Sequence, residues 1–282
     1  MRVCRFEGGC GLVVGDDVVD MTGLMAGDGG ALGDPLVRAL PKLRALGPAA
    51  LADLPRRPLS GLPLLSPVAQ PTKILAAPNN YHEHQHEMGE SNVGFGRQAN
   101  MEEGGLFLKA TSSLVGPSQG IAQRFLDRRT DYEIELVVVI GKAGNKLTEQ
   151  EAMAHVAGYS LGLDITLRGP EERSLRKSID SYTVLGPWLV TPDEIDDIAA
   201  IEMSLLQNGA LRQKMRVSDM VFSVAQQIAY ASRFYTLFPG DLIYTGTSSG
   251  VGPIKPGDTL SASGDGLGAM DVTVRDAESG PL

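Results

Sequence analysis

The stretch Asp131-Tyr132-Glu133-Ile134-Glu135-Leu136-Val137-Val138-Val139-Ile140-Gly141 governs the reading of the rest of the chain. An aliphatic, β-branched run closed by a glycine predicts a buried strand. Side chains alternate faces along a strand, so Glu133 and Glu135 point one way and Ile134, Leu136, Val138 and Ile140 the other. Two like charges side by side at the root of a buried strand are costly unless something offsets them. Two offsets suit these residues. One is a divalent cation held by oxygen ligands. The other is a set of arginines, such as Arg128 and Arg129, at a wet end of the strand.

The whole chain narrows the choice. Its 282 residues suffice for one large domain and a small one. Hydrophobic residues at 43% and charged residues at 21% fit a soluble globular protein. A formal charge of -9 with no dense basic run argues against a nucleic-acid partner. No apolar stretch approaches a membrane span, and residues 1–7 lack a signal-peptide core. Cys4 and Cys10 are too few for a disulfide framework or a structural zinc site, which makes a cytoplasmic enzyme the expectation.

Residues 1–25 read as short strands with turns at Gly8-Gly9 and Gly15-Asp16. Leucines from Leu36 to Leu54 are spaced for an amphipathic helix interrupted near Pro48. Pro55, Pro58, Pro63, Pro67 and Pro71 then favour extended chain and read as a linker. This divides the chain into a small N-terminal α+β domain with its linker, residues 1–70, and a catalytic domain, residues 71–282. In the second part Thr148 and Glu151 form a capping box. The run from Val156 to Thr166 reads as a buried strand holding a third acid, Asp164. Asn208-Gly209 signals a hairpin. Ser218-Asp219-Met220 is expected to open a helix to about residue 236. Glycines between Gly89 and Gly105 suit a lid. Many short strands and few helices predict an α+β, mostly β fold.

Several chemistries compete. Gly246-Thr247-Ser248-Ser249-Gly250 matches a nucleophile elbow, but Gly252, Pro253 and Pro256 forbid the helix it needs, and no histidine follows His155. His82, His84 and His86 at alternate positions would suit zinc if they lay on a strand. On a helix, His84 and Glu87 share a side, and a carboxylate behind an imidazole makes it a better base. Glu133, Glu135 and Asp164 at strand-like positions favour Mg²⁺, Mn²⁺ or Ca²⁺ over zinc.

The ordered set Asn80-Tyr81-x-x-His84-x-x-Glu87, Glu133-x-Glu135, Asp164-Ile165-Thr166-x-Arg168, Lys177-Ser178-x-Asp180, Leu185-Gly186-Pro187-Trp188, Asn208-Gly209, Pro239-Gly240-Asp241 and Thr245-Gly246-Thr247 resembles the fumarylacetoacetate hydrolase family over about residues 71–275. The resemblance implies a mixed β-roll catalytic domain and a homodimer. It implies Mg²⁺ or Mn²⁺ (Ca²⁺ in a crystal) on Glu133, Glu135 and Asp164, and a water-activating pair of His84 and Glu87. It further implies an active-site Lys177, and Arg168, Thr247 and Tyr81 toward the substrate. The activity implied is metal-dependent cleavage of a carbon–carbon bond in a 2,4-dioxo acid, giving pyruvate and a second acid, in aromatic or sugar-acid catabolism. Decarboxylation or tautomerisation of a 2-oxo or 2-hydroxydienoic dicarboxylic acid is the alternative on the same site. One departure bears on the substrate: the interval from Asp164 to Lys177 is shorter than in many members, and that interval carries substrate contacts.

Overall fold

The structure is a computed structural model that describes residues 1–25, 32–46, 48–84 and 100–279. The strand Ile134–Ile140 is buried along its whole length. It pairs antiparallel with Val156–Asp164 on one side and Leu242–Tyr244 on the other. The sheet built on it runs edge to edge through Arg56–Pro58, Asp17–Asp20, Gly9–Val14, Arg2–Phe6, Thr183–Val190, Val156–Asp164, Ile134–Ile140, Leu242–Tyr244, Ile74–Ala76 and Phe107–Lys109.

Alternation along the central strand feeds two cores. Ile134, Leu136, Val138 and Ile140 join one apolar cluster with Leu205, Leu260, Val272 and Ile228. These come from a second sheet, Ala210–Arg216, Glu202–Gln207, Thr259–Gly264, Gly268–Asp276 and Ile121–Gln123, and from the helix Val224–Phe234. Val137 and Val139 face the other way and pack with Val3, Leu12, Leu36, Val37 and Leu40. Each such side chain contributes about 1.5–3 kcal/mol by leaving water. The result is α+β, mostly β, with a mixed β-roll flanked by a small N-terminal α+β layer.

That layer continues the main sheet. Arg2 and Val3 pair with Val190 and Leu189. The leucine-rich segment forms two helices, Pro35–Arg44 and Pro48–Ala52. Asp34 caps the first: one carboxylate oxygen accepts from Val37 N, and the other from Ala69 N and Gln70 N. The proline-rich stretch is extended, as its residues require, and also hydrogen-bonds to the first strands. Arg56–Pro58 pairs with Asp17–Asp20, and Leu64–Leu65 with Arg2–Phe6.

One helix starts later than its sequence suggests. Residues Val217–Asp219 form a short 3-10 turn, and the helix proper is Val224–Phe234. Ser223 and Gln226 make the capping box that sets this start. Just before it, the Val221 and Phe222 amides are taken up by Asn80. The Thr148/Glu151 box forms as expected, on the short helix Glu149–Ala152. Asn208 and Gly209 turn the hairpin with φ of 53° and 80°, the left-handed pair a type I′ turn needs.

Candidate active site

Strand register assembles the acids. Ile134 lies opposite Leu163, Glu135 opposite Gly162, and Asp164 N donates to Glu133 O at 2.8 Å. Glu133, Glu135 and Asp164 therefore meet at the same end of two antiparallel strands. Their ligand oxygens lie within 4.8 Å of one another, and all three residues are buried. Gly162 is required here: a Cβ would come within 2.5 Å of the Tyr244 ring.

Cations offset part of this charge. Lys177 Nζ donates to Glu133 Oε2 and Asp164 Oδ2, both at 2.7 Å, and to Thr166 Oγ1 at 2.6 Å. Burial disfavours its charge, but Asp164 and Glu133 outweigh that and raise its pKa. Lys109 Nζ, also buried, donates to Asp164 Oδ1 and to Tyr182 O. For this lysine burial wins over Asp164, and its pKa is lowered. Arg168 donates to Asp131 Oδ2 at 2.7 Å and to Glu133 Oε1 at 3.2 Å. Burial pushes the Glu133 carboxyl up, but Lys177, Arg168 and His84 together hold it below the ordinary range.

Glu135 differs from its neighbours. It accepts from Gly246 N at 2.7 Å and, among the described residues, has no ion pair. Burial, then Asp164 and Glu133, push its pKa well above the ordinary value of 4.5. A buried carboxylate with no cation of its own, beside two other carboxylates, is the donor set that an oxygen-preferring divalent ion fits. When bound, such an ion would sit on Glu133, Glu135 and Asp164.

The remaining expected residues fall as follows. His84 is buried on a helical turn at residues 82–84, near enough to bias Glu133, whereas His82 is exposed. The two thus face opposite environments, which does not suit a shared zinc ion; His86 lies outside the described residues. Glu87 and most of the glycine-rich stretch, residues 85–99, also lie outside them. Tyr81 is buried, and its hydroxyl has no hydrogen-bond partner among the described residues. Burial, then Glu135 and Asp219, raise its pKa. Thr247 spends its proton on Ile134 O at 2.7 Å and accepts from Gln213 Nε2 at 2.9 Å, while Gln213 Oε1 takes Ile134 N. Thr247 and Gln213 thus clamp the root of the acid strand.

Other residues at the site were assigned no role from the sequence. Lys109 ends the strand Phe107–Lys109 with its side chain inward while Leu108 is 41% exposed. A lysine at the apolar end of a strand was the available signal. Asn80 donates to Phe222 O and Thr245 O and holds the Tyr81–His84 segment against both loops. Gly246 has φ 99° and lies against Asn80, which turns its amide to Glu135.

The chain resembles known proteins over most of its length. Residues 73–275 match the family model described as fumarylacetoacetate (FAA) hydrolase, C-terminal. The chain is 46% identical to a maleylpyruvate hydrolase of Aquipseudomonas alcaligenes, over 98% of this chain and 99% of that protein. A crystal structure of maleylpyruvate hydrolase from Sphingobium sp. SYK-6 in complex with manganese(II) ion and pyruvate is 36% identical, with a TM-score of 0.83, covering 98% of this chain and 99% of that one. A 2-hydroxyhepta-2,4-diene-1,7-dioate isomerase from Mycobacterium marinum is 30% identical, with a TM-score of 0.66 over 79% of this chain and 81% of that one. The coverage of the family model and the full-length identity agree with the buried acids: the chain belongs to the fumarylacetoacetate hydrolase family.

Proposed function

We propose that this chain is a divalent-metal-dependent hydrolase that cleaves the carbon–carbon bond of a 2,4-dioxo acid of the maleylpyruvate kind. Water adds at the acyl carbonyl, the bond to the methylene carbon breaks, and the products are pyruvate and the acid of the acyl group. The observation that carries this reading is the buried Glu133/Glu135/Asp164 cluster, in which Glu135 makes no ion pair among the described residues. The similarity to a maleylpyruvate hydrolase over nearly all of both chains supports the choice of substrate class.

Glu133, Glu135 and Asp164 would hold a divalent ion, which would supply Lewis-acid stabilisation of negative charge on a substrate carbonyl oxygen. We take Mg²⁺ or Mn²⁺ as that ion. Asp131, Glu133, Glu135 and Asp164 face Lys109, Lys177, Arg129 and Arg168, so an added divalent ion gives the cluster a formal surplus of positive charge. An anionic oxo acid neutralises that surplus. His84 accepts a proton from water at an imidazole nitrogen, with Glu87 as its orienting carboxylate. Lys177, already fixed by three hydrogen bonds, offsets negative charge without having to reorganise. Arg168 and the Tyr81 hydroxyl supply donors to the substrate, and Thr247 acts by keeping Ile134 and its flanking acids in position. A cytoplasmic homodimer acting on a small oxo acid belongs to the same reading, as does a boundary near residue 70 between the N-terminal unit and the catalytic domain.

The test is pyruvate release from a panel of acylpyruvates, with Mg²⁺ or Mn²⁺ and then with EDTA, for wild type, Glu135→Ala and His84→Ala. Metal-dependent release that both substitutions abolish is the expected result. Keto–enol exchange or decarboxylation without pyruvate release from an acylpyruvate favours the isomerase or decarboxylase reading, consistent with the similar isomerase structure.

A further inference from the structure

Arginines crowd the short segment after Asp164, and nearly all of them are spoken for. Arg128 pairs with Glu171, and Arg129 and Arg168 with Asp131. Arg176 donates to Glu171 O and Leu167 O. Arg173 is the exception: among the described residues it makes no hydrogen bond and no ion pair. Its guanidinium instead lies over the Phe107 ring, 5.5 Å from the centroid. Lys177 Nζ lies over the same ring, also at 5.5 Å.

Arg173 and Lys177 are the first and last residues of one short helix, four apart, and so occupy the same helical face. Lys177 reaches from that face into the acid cluster, whereas Leu175 points outward and is 63% exposed. One turn of helix separates the two cations, about 6 Å along the axis. Arg173 is half-buried, within the field of Glu133 and Asp164, so it belongs to the surroundings of the site rather than to the outer surface. A guanidinium cannot shed its charge, and its five donors match a carboxylate in a forked pair. A half-buried fork held on an aromatic ring, with no hydrogen-bond or ion-pair partner among the described residues, is suited to receive an anion.

We infer that Arg173 is the specificity-determining residue that binds a second carboxylate at the far end of the substrate's acyl group. This rests on the proposed dioxo-acid reading and adds to it the charge of the tail. The short interval from Asp164 to Lys177 places this arginine one turn from the active-site lysine. The diketone end then lies at the acid cluster and the tail carboxylate at Arg173, with Phe107 beneath both cations.

The experiment compares wild type, Arg173→Gln and Arg173→Lys in two arms. In the first, kcat/KM is measured for an acylpyruvate with a tail carboxylate (maleylpyruvate) and one without (acetylpyruvate). The ratio between the two is expected to fall about ten- to hundredfold in Arg173→Gln, with Arg173→Lys in between. In the second, calorimetry on Mn²⁺-loaded protein compares 2-oxoglutarate with 2-oxobutanoate. Wild type should prefer the dicarboxylate, and Arg173→Gln should lose that preference. An unchanged ratio in both arms overturns the assignment, as does a wild type with no preference for the second carboxylate. The binding arm does not require turnover. If wild type releases no pyruvate from either substrate yet shows an Arg173-dependent preference, the hydrolase reading fails and the carboxylate receptor stands.

Discussion

One stretch of chain, which passes from the strand Thr130–Tyr132 through Glu133 into the strand Ile134–Ile140, carries two regions of opposite character. The body, residues 136–140, is hydrocarbon packed on both faces, and its burial stabilises the fold. The root, from Asp131 to Glu135, is equally buried, yet it is lined with acids whose desolvation opposes folding. The body needs only neighbours of the right shape, and both sheets and the N-terminal helix supply them. The root is held by named partners: Lys177, Lys109, Arg168 and, at Glu135, the Gly246 amide. The packed body anchors the root, where like charges are held together. The adjoining strands hold the ligand oxygens of the three acids within 4.8 Å of one another.

The comparison can be broken most directly at the root. Glu135→Ala should lower metal-dependent turnover by more than about a thousandfold, read as pyruvate release. It should leave the unfolding midpoint of metal-free protein unchanged or raised. A large loss of stability would mean that Glu135 is a structural acid. Lys109→Met should destabilise the metal-free protein by about 3–5 kcal/mol, because it strips a buried partner from Asp164. Urea denaturation with and without Mn²⁺ checks this, and the deficit should shrink when the ion is present. In the body, Ile140→Ala should cost about 2–5 kcal/mol of stability through its cavity. Turnover per folded molecule should stay close to wild type.

A pH series sharpens the contrast. Glu135 binds its proton more tightly in the folded protein than in the unfolded chain. Metal-free protein should therefore lose stability as pH rises above 4.5 toward the raised folded value. Glu133 is shifted the other way, and its contribution is present above its ordinary value and lost on acidification. Glu135→Gln should flatten the first trend alone, and thermal unfolding across pH reads it. Smallest of all, Arg216→Ala at the exposed Glu202 pair should leave the unfolding midpoint unchanged within experimental scatter.

Much of this was legible in the residues because strand chemistry is local. The aliphatic run, the acid spacing at Glu133 and Glu135, the Asn208-Gly209 turn and the Thr148/Glu151 box each specify their geometry within a few positions. The order of the motifs carried the family, and with it Asp164, Lys177 and His84. Non-local pairing could not be read this way. Nothing near Pro55 to Pro67 announces that this stretch would hydrogen-bond to the first strands, because those partners lie tens of residues earlier. The late start of the helix at Ser223 depends on Asn80, which is remote in sequence.

Sequence alone determined that a buried strand carries paired acids, that a third acid follows on another strand, and that the class is α+β, mostly β. Alternation and hydrophobicity act along the chain and need no partner to be recognised. Only the tertiary structure decided which cations those acids receive. Lys109 and Lys177 are far apart in the chain and meet at Asp164 because register brings their elements to one end of the sheet. It also decided that Thr247 clamps a backbone and that Glu135 has no ion pair among the described residues, since Coulomb energy follows distance in space and not position in the chain.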